Sequence, residues 1–282
     1  MRGHRRHAAD HGATQGAAQS RETGAPAPGR KAAPKVLILG GSAEGFEAAE
    51  LFVARGFEVV TSFAGRTETR RTPVGFWRVG HFGGVTGLAA YLAVEDFALV
   101  VDATHPYAAT IKENAAKACF EVGAPIIHVN RPAWSPESGD DWRFAPTLEA
   151  ASRLIPRTDG PCFLTVGRGK LGPFAKRRDL SFVIRTVEPP EPPFDHPKSE
   201  IVNDRGPFML EAERALFEQR GFGSLVTANS GGGGAAAKLV AAREHGVPVV
   251  IVDRPPPPSG VVVDTTADAL EKALGLIGDP AA

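Results

Sequence analysis

The chain has 282 residues, of which 43% are apolar and 23% are charged, an ordinary balance for a globular protein of one large or two modest domains. Lysines and arginines together number 32, as do aspartates and glutamates, so the formal charge is zero. This balance argues against a general nucleic-acid-binding protein. Since no apolar run approaches the ~20 residues of a membrane-spanning helix, we expect neither a nucleic-acid partner nor a membrane-inserted segment.

The cysteine content indicates the compartment and argues against a metal site. Cys119 and Cys162 are the only cysteines, and they lie in separate predicted elements without the spacing of metal ligands. Reduced cysteines in a protein core are typical of the cytoplasm. We therefore expect a cytoplasmic protein with no bound metal.

The predicted elements begin after an N-terminal tail. Residues 1–34 are rich in Ala, Gly, Arg and His and lack apolar periodicity, which predicts a disordered segment outside the fold. Residues 36–39 are a continuous apolar run, as expected of a strand buried in a parallel sheet. A turn then leads into residues with helical spacing. The turn consists of Gly40, Gly41, Ser42, Ala43, Glu44 and Gly45.

This turn partly matches the dinucleotide-binding fingerprint G-x-G-x-x-G. Gly40 and Gly45 occupy the first and third glycine positions, and Ser42 stands at the second. A strand, a glycine turn and a helix together present backbone N–H groups to a phosphate. The alternative is a tight turn between strand and helix that binds nothing.

The end of the second predicted strand favours one nucleotide over another. Residues 57–62 end in Thr61 and Ser62, with Arg66 close behind. NAD-binding units usually carry a carboxylate here, which would repel a 2′-phosphate, whereas hydroxyls and a guanidinium would bind it. We therefore expect NADPH rather than NADH if a nucleotide binds. The alternative is that Arg66 lies on a solvated loop.

Two further strand ends contribute to the same predicted sheet edge. Gly83 and Gly84 form a second glycine turn at the start of an apolar helix. Farther along, the buried run 99–101 leads into Thr104, His105 and Tyr107, at the carboxyl end of a strand where ligands bind in open α/β sheets.

The helix that follows this third strand is predicted from an apolar face, which places Lys112 on its outer side. Thr104 or His105 would cap the helix. His105 is equally a candidate proton donor, since histidine titrates near neutral pH.

The second half repeats the alternation of strands and helices. After an aperiodic stretch at 130–146, apolar runs near 162–165, 182–185, 224–227 and 247–252 alternate with helical patterns. The prediction is an α/β fold of two Rossmann-like domains with mostly parallel sheets and a cleft between them, divided as 35–130 and 131–278. The glycine-rich turn at 229–234 offers backbone N–H groups to an anion.

Eight short motifs, in this order and spacing, resemble the precorrin-6A reductase family, the NADPH-dependent enzymes of cobalamin biosynthesis. The resemblance implies NADPH on the N-terminal domain and a cyclic tetrapyrrole, precorrin-6A, in the cleft. The reaction that it implies is reduction of one C=C bond of the macrocycle to give precorrin-6B. The motifs are ILGGSAEG (38–45), AGRT (64–67), FGG (82–84), DATHPYA (102–108), RPAW (131–134), RGPF (205–208), NSGG (229–232) and DRP (253–255).

The resemblance gives roles to the candidate residues. His105 and Tyr107 are the catalytic candidates, because hydride transfer to one carbon leaves its neighbour in need of a proton. The cofactor candidates are Gly40, Gly41, Ser42, Ala43, Glu44, Gly45, Ser62, Arg66, Gly83, Gly84 and Thr104. The candidates for holding the carboxylates of the substrate are Arg168, Lys170, Arg205, Asn229, Ser230, Gly231 and Gly232.

Three alternatives stay open on the sequence alone. The substrate could be the cobalt-containing precorrin of the anaerobic pathway, which the motifs barely separate from the cobalt-free one. A different NADPH reductase could use the same scaffold, since a fold does not fix a function. The chain could also be a non-catalytic nucleotide-binding subunit. Transient contact with neighbouring enzymes of the pathway is a further expectation.

Overall fold

The computed structural model describes residues 32–65 and 72–282. Twelve strands in this part of the chain form two six-stranded sheets, and within each sheet every pair of neighbouring strands is parallel. The predicted α/β class with two mostly parallel sheets is confirmed. The prediction of a disordered tail falls mostly on residues 1–31, and that for Arg66 falls on 66–71; both segments lie outside the described residues.

The strands and helices alternate along the chain. The strands are β1 (Lys35–Leu39), β2 (Glu58–Phe63), β3 (Phe76–Val79), β4 (Leu99–Asp102), β5 (Ile126–Val129), β6 (Trp142–Ala145), β7 (Cys162–Thr165), β8 (Phe182–Thr186), β9 (Ser199–Asn203), β10 (Ser224–Ala228), β11 (Val249–Val252) and β12 (Val261–Val263). The helices are α1 (Ala43–Arg55), α2 (Gly84–Val94), α3 (Ala109–Val122), α4 (Leu148–Leu154), α5 (Gly172–Ala175), α6 (Leu210–Arg220), α7 (Ala237–Glu244) and α8 (Thr266–Ile277).

The first sheet has the order β12-β5-β4-β1-β2-β3. Its central strands are covered on both faces, and Val36, Leu37 and Ile38 of β1 are 0% exposed, which is why the sequence reads there as an unbroken apolar run. Helix α1 ends where Gly56 takes a left-handed conformation with φ of 99°. The chain thereby turns back into β2 beside β1.

The second sheet has the order β6-β11-β10-β7-β8-β9. Its strands β7, β10 and β11 are also buried on both faces, with Leu164, Val226 and Val250 at 0% exposure. Helices α4 and α5 contact each other, as do α6 and α7. The second sheet therefore has a core separate from that of the first.

The end of the chain differs from the predicted division into 35–130 and 131–278. Strand β12 pairs with β5 at the edge of the first sheet, and α8 contacts α1 and β5. Ala269 and Ala273 of α8 lie in the core of the first sheet. The local sequence of a three-residue strand and an amphipathic helix does not indicate which sheet they join. The prediction therefore assigned both elements to the second half, which precedes them in the chain.

We call the first sheet with its helices the first lobe (35–129 and 261–277) and the second sheet with its helices the second lobe (142–252). The second lobe is thus inserted between β5 and β12 of the first. Both lobes belong to one compact unit, Ala33–Ala282. Within the described residues, no helix has the length and apolar character needed to cross a membrane.

Candidate active site

The glycine turn after β1 has the geometry of a phosphate-binding turn. A Cβ atom on Gly45 would lie 2.8 Å from the Cα atom of Gly40, so only glycine lets α1 begin this close to the strand. Gly41 has φ of +117°, a conformation that other residues rarely adopt. The Ser42 hydroxyl donates to the carbonyl of Ala103, 2.7 Å away, and so is held toward the end of β4. The first N–H groups of α1 have no acceptor within the helix.

A cavity of about 380 Å³ lies at the carboxyl edge of the first sheet. The loops that follow β1, β2, β3 and β4 line it, which is the edge at which the sequence places a ligand. Ser42, Ala43, Glu44 and Gly45 belong to the same turn but are not in the lining. The predicted residues that line the cavity are Gly40, Gly41, Ser62, Gly83, Gly84, Thr104, His105 and Tyr107.

A buried ionic cluster, absent from the sequence prediction, supports the loop that carries His105 and Tyr107. The Asp102 side chain is fully buried, and its Oδ2 accepts from Lys112 Nζ at 2.9 Å and lies 2.7 Å from His128 Nδ1. Its Oδ1 accepts from the Thr104 hydroxyl at 2.6 Å and from the Thr104 N–H at 3.1 Å. These bonds fix the backbone directly before His105.

The charge of Asp102 is stabilised within this cluster. Burial alone would raise the pKa of Asp102, but the hydrogen bond from His128, the charge of Lys112 and the Thr104 hydroxyl hold it below its usual value. The prediction that Lys112 faces outward is wrong, because its side chain is 5% exposed. The long stem of lysine lets a residue at the margin of a helical face reach a buried carboxylate.

His105 faces the cavity and is open to it. Burial of the ring among the surrounding residues, together with the positive charges of Arg131 and Lys170, lowers the pKa of His105 to about 4. The imidazole is therefore neutral near pH 7, and its Nδ1 accepts the Tyr107 N–H at 3.3 Å, which leaves the proton on Nε2. The prediction that Thr104 or His105 caps α3 is wrong, since the residue at that position is Ala108.

Tyr107 joins the two lobes. Its hydroxyl donates to the carbonyl of Val252, at the end of β11, and accepts the N–H of Asn229, after β10, at 2.7 Å. Burial raises the pKa of Tyr107 to about 12. The Lys170 ammonium, from the loop after β7, lies 4.2 Å from the centre of the Tyr107 ring. The carboxyl edges of the two sheets therefore meet beside the cavity.

A second bridge between the lobes includes the glycine turn. Arg131 Nη1 lies 2.5 Å from Glu44 Oε1, and Arg131 Nε donates to the carbonyl of Ser230 at 2.8 Å. Burial would raise the pKa of Glu44, but interactions with Ser42 and Arg131 lower it below its usual value. Glu44 therefore helps to hold the lobes together as a carboxylate.

The glycine-rich turn after β10 packs against the segment between the lobes. The Asn229 side chain accepts the N–H of Trp134 at 2.8 Å and donates to its carbonyl at 3.1 Å. Gly231 and Gly232 have φ of +67° and +70°, and a Cβ atom on Gly231 would lie 2.0 Å from the carbonyl oxygen of Pro132. The Asn229 amide is thus engaged by backbone, Gly231 is required by this close contact, and Gly232 suits the positive φ at its position.

The three basic residues of the second lobe that are candidates for binding the substrate have different surroundings. Lys170 reaches the cavity side of Tyr107, and burial lowers its pKa. Arg168 forms an ion pair with Glu188 at 2.6 Å. Arg205 is exposed in the loop after β9, and no carboxylate in the described part of the chain pairs with its side chain. Of the three, only Lys170 lies beside a residue of the cavity wall.

Arg78 was missed by the sequence analysis. It lies on β3 directly opposite Ser62 of β2, and its Nη1 donates to the Ser62 hydroxyl at 2.9 Å and to the Gly80 carbonyl at 3.1 Å. The guanidinium carbon is 4.1 Å from the centre of the Phe82 ring. Burial lowers the pKa of Arg78. Knowing that β2 pairs with β3 in this register is necessary to find it.

A buried ion pair lies away from the cavity, in the second lobe. Arg185 and Glu213 make a two-pronged contact, with Nη1–Oε1 and Nη2–Oε2 distances of 2.5 and 3.2 Å. The Lys238 ammonium is also buried in this lobe and donates to the carbonyl of Ala235 at 2.6 Å. The second lobe therefore buries two cations, Arg185 and Lys238, and one carboxylate, Glu213, close enough for their charges to interact.

Comparison with known proteins gives consistent results. The family model described as "Precorrin-6x reductase CbiJ/CobK" matches residues 35–275. A "Precorrin-6A reductase" from Rhodococcus erythropolis is 43% identical over 198 residues, covering 70% of this chain and 79% of that protein. The protein of the same name from Rhodobacter capsulatus is 37% identical over 197 residues, covering 70% and 78%. A solved structure, "CobK precorrin-6A reductase", superposes with a TM-score of 0.82 at 36% identity, over 88% of this chain and 98% of that one.

Proposed function

This chain belongs to the CbiJ/CobK family of precorrin-6x reductases, and from that premise we propose that the cavity and the adjoining lobe boundary bind NADPH and precorrin-6A for reduction of the macrocycle. The family resemblance is confirmed. The chain is an oxidoreductase that acts on a CH–CH group, a precorrin-6A reductase of cobalamin biosynthesis. NADPH as the nicotinamide cofactor, and the residues assigned below, are our proposals.

The glycine turn fits a dinucleotide. Gly40 and Gly45 allow the close approach of strand and helix that a pyrophosphate site needs. A Cβ atom on Gly41 would meet no atom within 4 Å, so the backbone there opens onto the cavity. Ser62 occupies the position where NAD-binding units carry a carboxylate. The donors present thus suit a phosphorylated nucleotide, and Gly83 and Gly84 face the same space.

The observation that carries the proposal is that the loops of the first sheet line this cavity, while the carboxyl edge of the second sheet contacts Tyr107 in its wall. When bound, the cofactor supplies a hydride to one carbon of the macrocycle. The glycine turn of the first lobe holds the dinucleotide. The Lys170 ammonium of the second lobe lies 4.2 Å from the centre of the Tyr107 ring. This ammonium supplies a cation for a substrate carboxylate. Cofactor and macrocycle are thereby held by opposite lobes.

We assign the proton donor to His105. Its ring lines the cavity, whereas the Tyr107 hydroxyl is engaged with Val252 and Asn229. The carboxylates of a bound substrate would offset the charges of Arg131 and Lys170, which lower the pKa of His105 in the free protein. Substrate binding thus raises the pKa of His105, so that the ring takes up a proton, and the imidazolium can give that proton to the carbon beside the one that receives the hydride.

The remaining basic residues and the turn at 229–232 have supporting roles in this proposal. Arg168 and Arg205 would contact carboxylates at the edge of the macrocycle, since both side chains are exposed. The Asn229 N–H holds Tyr107 and the Ser230 carbonyl holds Arg131, while Gly231 and Gly232 let the turn pack closely against Pro132 and Arg131. The backbone of this turn therefore contacts the cavity wall at Tyr107.

One experiment tests the function. NADPH oxidation by the purified protein is followed with precorrin-6A present and absent, and precorrin-6B is identified among the products. We expect oxidation only in the presence of the macrocycle. Binding of NADPH without turnover would instead support a non-catalytic nucleotide-binding subunit.

The cobalt-containing macrocycle is the second candidate substrate. A "Cobalt-precorrin-6A reductase" from Priestia megaterium is 31% identical over 141 residues, covering 47% of this chain. The higher identity and coverage of the relatives named for precorrin-6A favour the cobalt-free substrate. Assays of both macrocycles at equal concentration give the preference directly, and faster turnover of the cobalt form would reverse our assignment.

Two further expectations remain proposals. The free, buried Cys119 and Cys162 support a reducing compartment such as the cytoplasm. Transient contact with the enzyme that acts next on the reduced macrocycle would protect the product from solution. Cross-linking of the tagged chain in cells that make cobalamin, followed by mass spectrometry, tests both.

A further inference from the structure

Arg254 lies just after β11, where the chain leaves the second lobe, and its guanidinium binds backbone carbonyls of distant residues. The side chain is half-buried, and burial lowers its pKa. Nε donates to the carbonyl of Asn229 at 2.6 Å, Nη1 to that of Arg131 at 2.6 Å, and Nη2 to that of Pro132 at 3.2 Å. All three nitrogens of the guanidinium are therefore used in holding other parts of the chain.

Most of these acceptors belong to the segments that join the lobes. We call residues 130–141, which lead from β5 to β6, the first connection, and residues 253–260, which lead from β11 to β12, the return connection. Arg254 is on the return connection. Three of its acceptors are on the first connection, including the side-chain oxygen of Asn130, which lies 3.4 Å from Nη1. One guanidinium therefore links the two covalent connections to each other.

The fourth acceptor adds the glycine-rich turn after β10 to this arrangement. Asn229 accepts from Arg254 through its carbonyl and donates its N–H to the Tyr107 hydroxyl, at 2.6 and 2.7 Å. The same hydroxyl donates to the carbonyl of Val252, two residues before Arg254. The guanidinium thus fixes the backbone that contacts Tyr107 in the cavity wall, although Arg254 itself is not in the lining.

The surrounding chain leaves space for this particular side chain. A Cβ atom on Gly231 would lie 2.4 Å from Nη2 of Arg254, as well as 2.0 Å from the carbonyl oxygen of Pro132. Arginine suits the position because its planar fork holds five N–H donors at fixed angles, whereas the ammonium of lysine is a single point. Only the fork reaches acceptors on several segments at once.

We propose that Arg254 is a positioning residue for hydride transfer, because it sets the angle at which the two lobes meet. The proposal rests on the proposed function in one respect, namely that cofactor and macrocycle are held by opposite lobes. Each lobe has its own core, so loss of the guanidinium leaves both lobes folded and the glycine turn intact. The alignment of the reactants is what changes, and a small misalignment is enough to slow the transfer.

Single-turnover kinetics separate alignment from folding. Protein with bound NADPH is mixed with precorrin-6A in a stopped-flow instrument, and the decay of the reduced nicotinamide gives a rate constant and an amplitude. For Arg254→Ala we expect the rate constant to fall about 10- to 100-fold at full amplitude, with the dissociation constant of NADPH within about 3-fold of the wild-type value. A lower amplitude at the wild-type rate constant would show only a loss of folded protein and would contradict the proposal.

An isotope effect identifies the step that has slowed. The same experiment is repeated with NADPH that carries deuterium at both C4 positions, and we expect the slowed decay in Arg254→Ala to be slower still with this cofactor. A slowed decay without an isotope effect would mean that the variant affects a step other than hydride transfer. That result would overturn the assignment of Arg254 as a positioning residue.

A conservative variant and a matched control complete the kinetic test. Arg254→Lys keeps the charge but reaches fewer acceptors, so its rate constant should lie between those of the wild type and Arg254→Ala. The control is Arg177→Ala, which removes a half-buried arginine that binds Asp179 and the carbonyl of Ser152 within the second lobe alone. It should keep the wild-type rate constant even if its melting temperature falls. Arg254→Lys provides the comparison if Arg254→Ala does not fold.

A distance measurement tests the proposal without the reaction. Spin labels at two exposed positions, Lys117→Cys in α3 and Glu218→Cys in α6, report the separation of the lobes by pulsed electron resonance. Arg254→Ala should broaden the distribution of distances relative to the wild type and Arg177→Ala, even if the protein fails to reduce precorrin-6A. An unchanged distribution, or a wild-type rate constant, in folded Arg254→Ala would overturn the proposal.

Discussion

Lys238 is a buried ammonium group at the start of α7, and its surroundings make its charge unfavourable. The side chain is 3% exposed, donates to the carbonyl of Ala235 and lies 4.9 Å from the centre of the Trp134 ring. Burial, with the charge of Arg185, lowers the pKa of Lys238 to about 7, and Glu213 only partly opposes this. The folded protein therefore holds this lysine on the border between its charged and neutral forms near pH 7.

This shift gives a pH dependence of stability with a defined sign. An unfolded lysine has a pKa of about 10.4, so between pH 7 and that value the unfolded chain binds a proton that the folded chain does not. The free energy of unfolding contributed by Lys238 therefore rises with pH across this window and is lowest below pH 7. We expect Lys238→Met to melt higher than the wild type at pH 6.5 to 7, with the gap closing by about pH 10.

Thermal unfolding at several pH values, followed by circular dichroism, measures the effect. Lys272→Met, which removes an exposed lysine from α8, is the control and should follow the wild type at every pH. A melting-temperature difference between Lys238→Met and the wild type that does not change with pH would contradict the lowered pKa.

Helix α8 illustrates how an element at one end of the chain completes a core built from the other end. Its residues Ala269 and Ala273 are 0% exposed and pack with β1, α1 and β5 residues in the first core. Thr265 accepts the N–H of Asp268 at 3.1 Å and caps the helix, so α8 has a defined start as well as a buried face.

We therefore expect substitutions on the buried face of α8 to destabilise the first lobe. Ala273→Asp places an unpaired carboxylate in the first core and should lower the free energy of unfolding by about 3 kcal/mol or more. The neighbouring Lys272→Asp changes charge on the exposed face and should cost less than about 0.5 kcal/mol. Urea unfolding compares the two variants. Equal, small effects would mean that α8 is not part of the folded core in solution.

The sequence predicted the local features of the sheet edge and missed those that depend on distant pairing. The run at 36–39, the glycine turn and the loop bearing His105 and Tyr107 have local signatures, and the structure brings them to one cavity. The contact of Arg78 with Ser62 depends on the register of β3 against β2, and the buried position of Lys112 depends on the carboxylate of Asp102, ten residues earlier. Neither relation is visible in periodicity, because each is set by how elements pack.

At the scale of the whole molecule, the two lobes meet through a small number of polar contacts. Tyr107 reaches Val252 and Asn229, Arg131 joins Glu44 to Ser230, and Lys170 covers the Tyr107 ring. These contacts are polar, whereas each core is built from apolar side chains. The relative position of the lobes is therefore more easily changed than the fold of either one.

Removal of the Tyr107 hydroxyl separates its two suggested roles. Tyr107→Phe loses the bonds to Val252 and Asn229 but keeps the ring under Lys170, so we expect a loss of about 1–2 kcal/mol in the free energy of unfolding. Because we assign proton donation to His105, turnover should fall by less than about 10-fold, with NADPH affinity unchanged. His105→Gln is the comparison and should lower turnover by about 100-fold or more. A greater loss of turnover in Tyr107→Phe than in His105→Gln would make the tyrosine the acid.

The insertion of the second lobe between β5 and β12 has a mechanical consequence. The chain crosses from the first lobe to the second and later crosses back, so two covalent connections run between them. A single linker would let one lobe rotate freely about it, but a pair of linkers resists torsion and leaves mainly a bending movement about the line through both. Opening would then widen the gap between the lobes along one angle, and reclosure would return the two sheet edges to the same alignment each time.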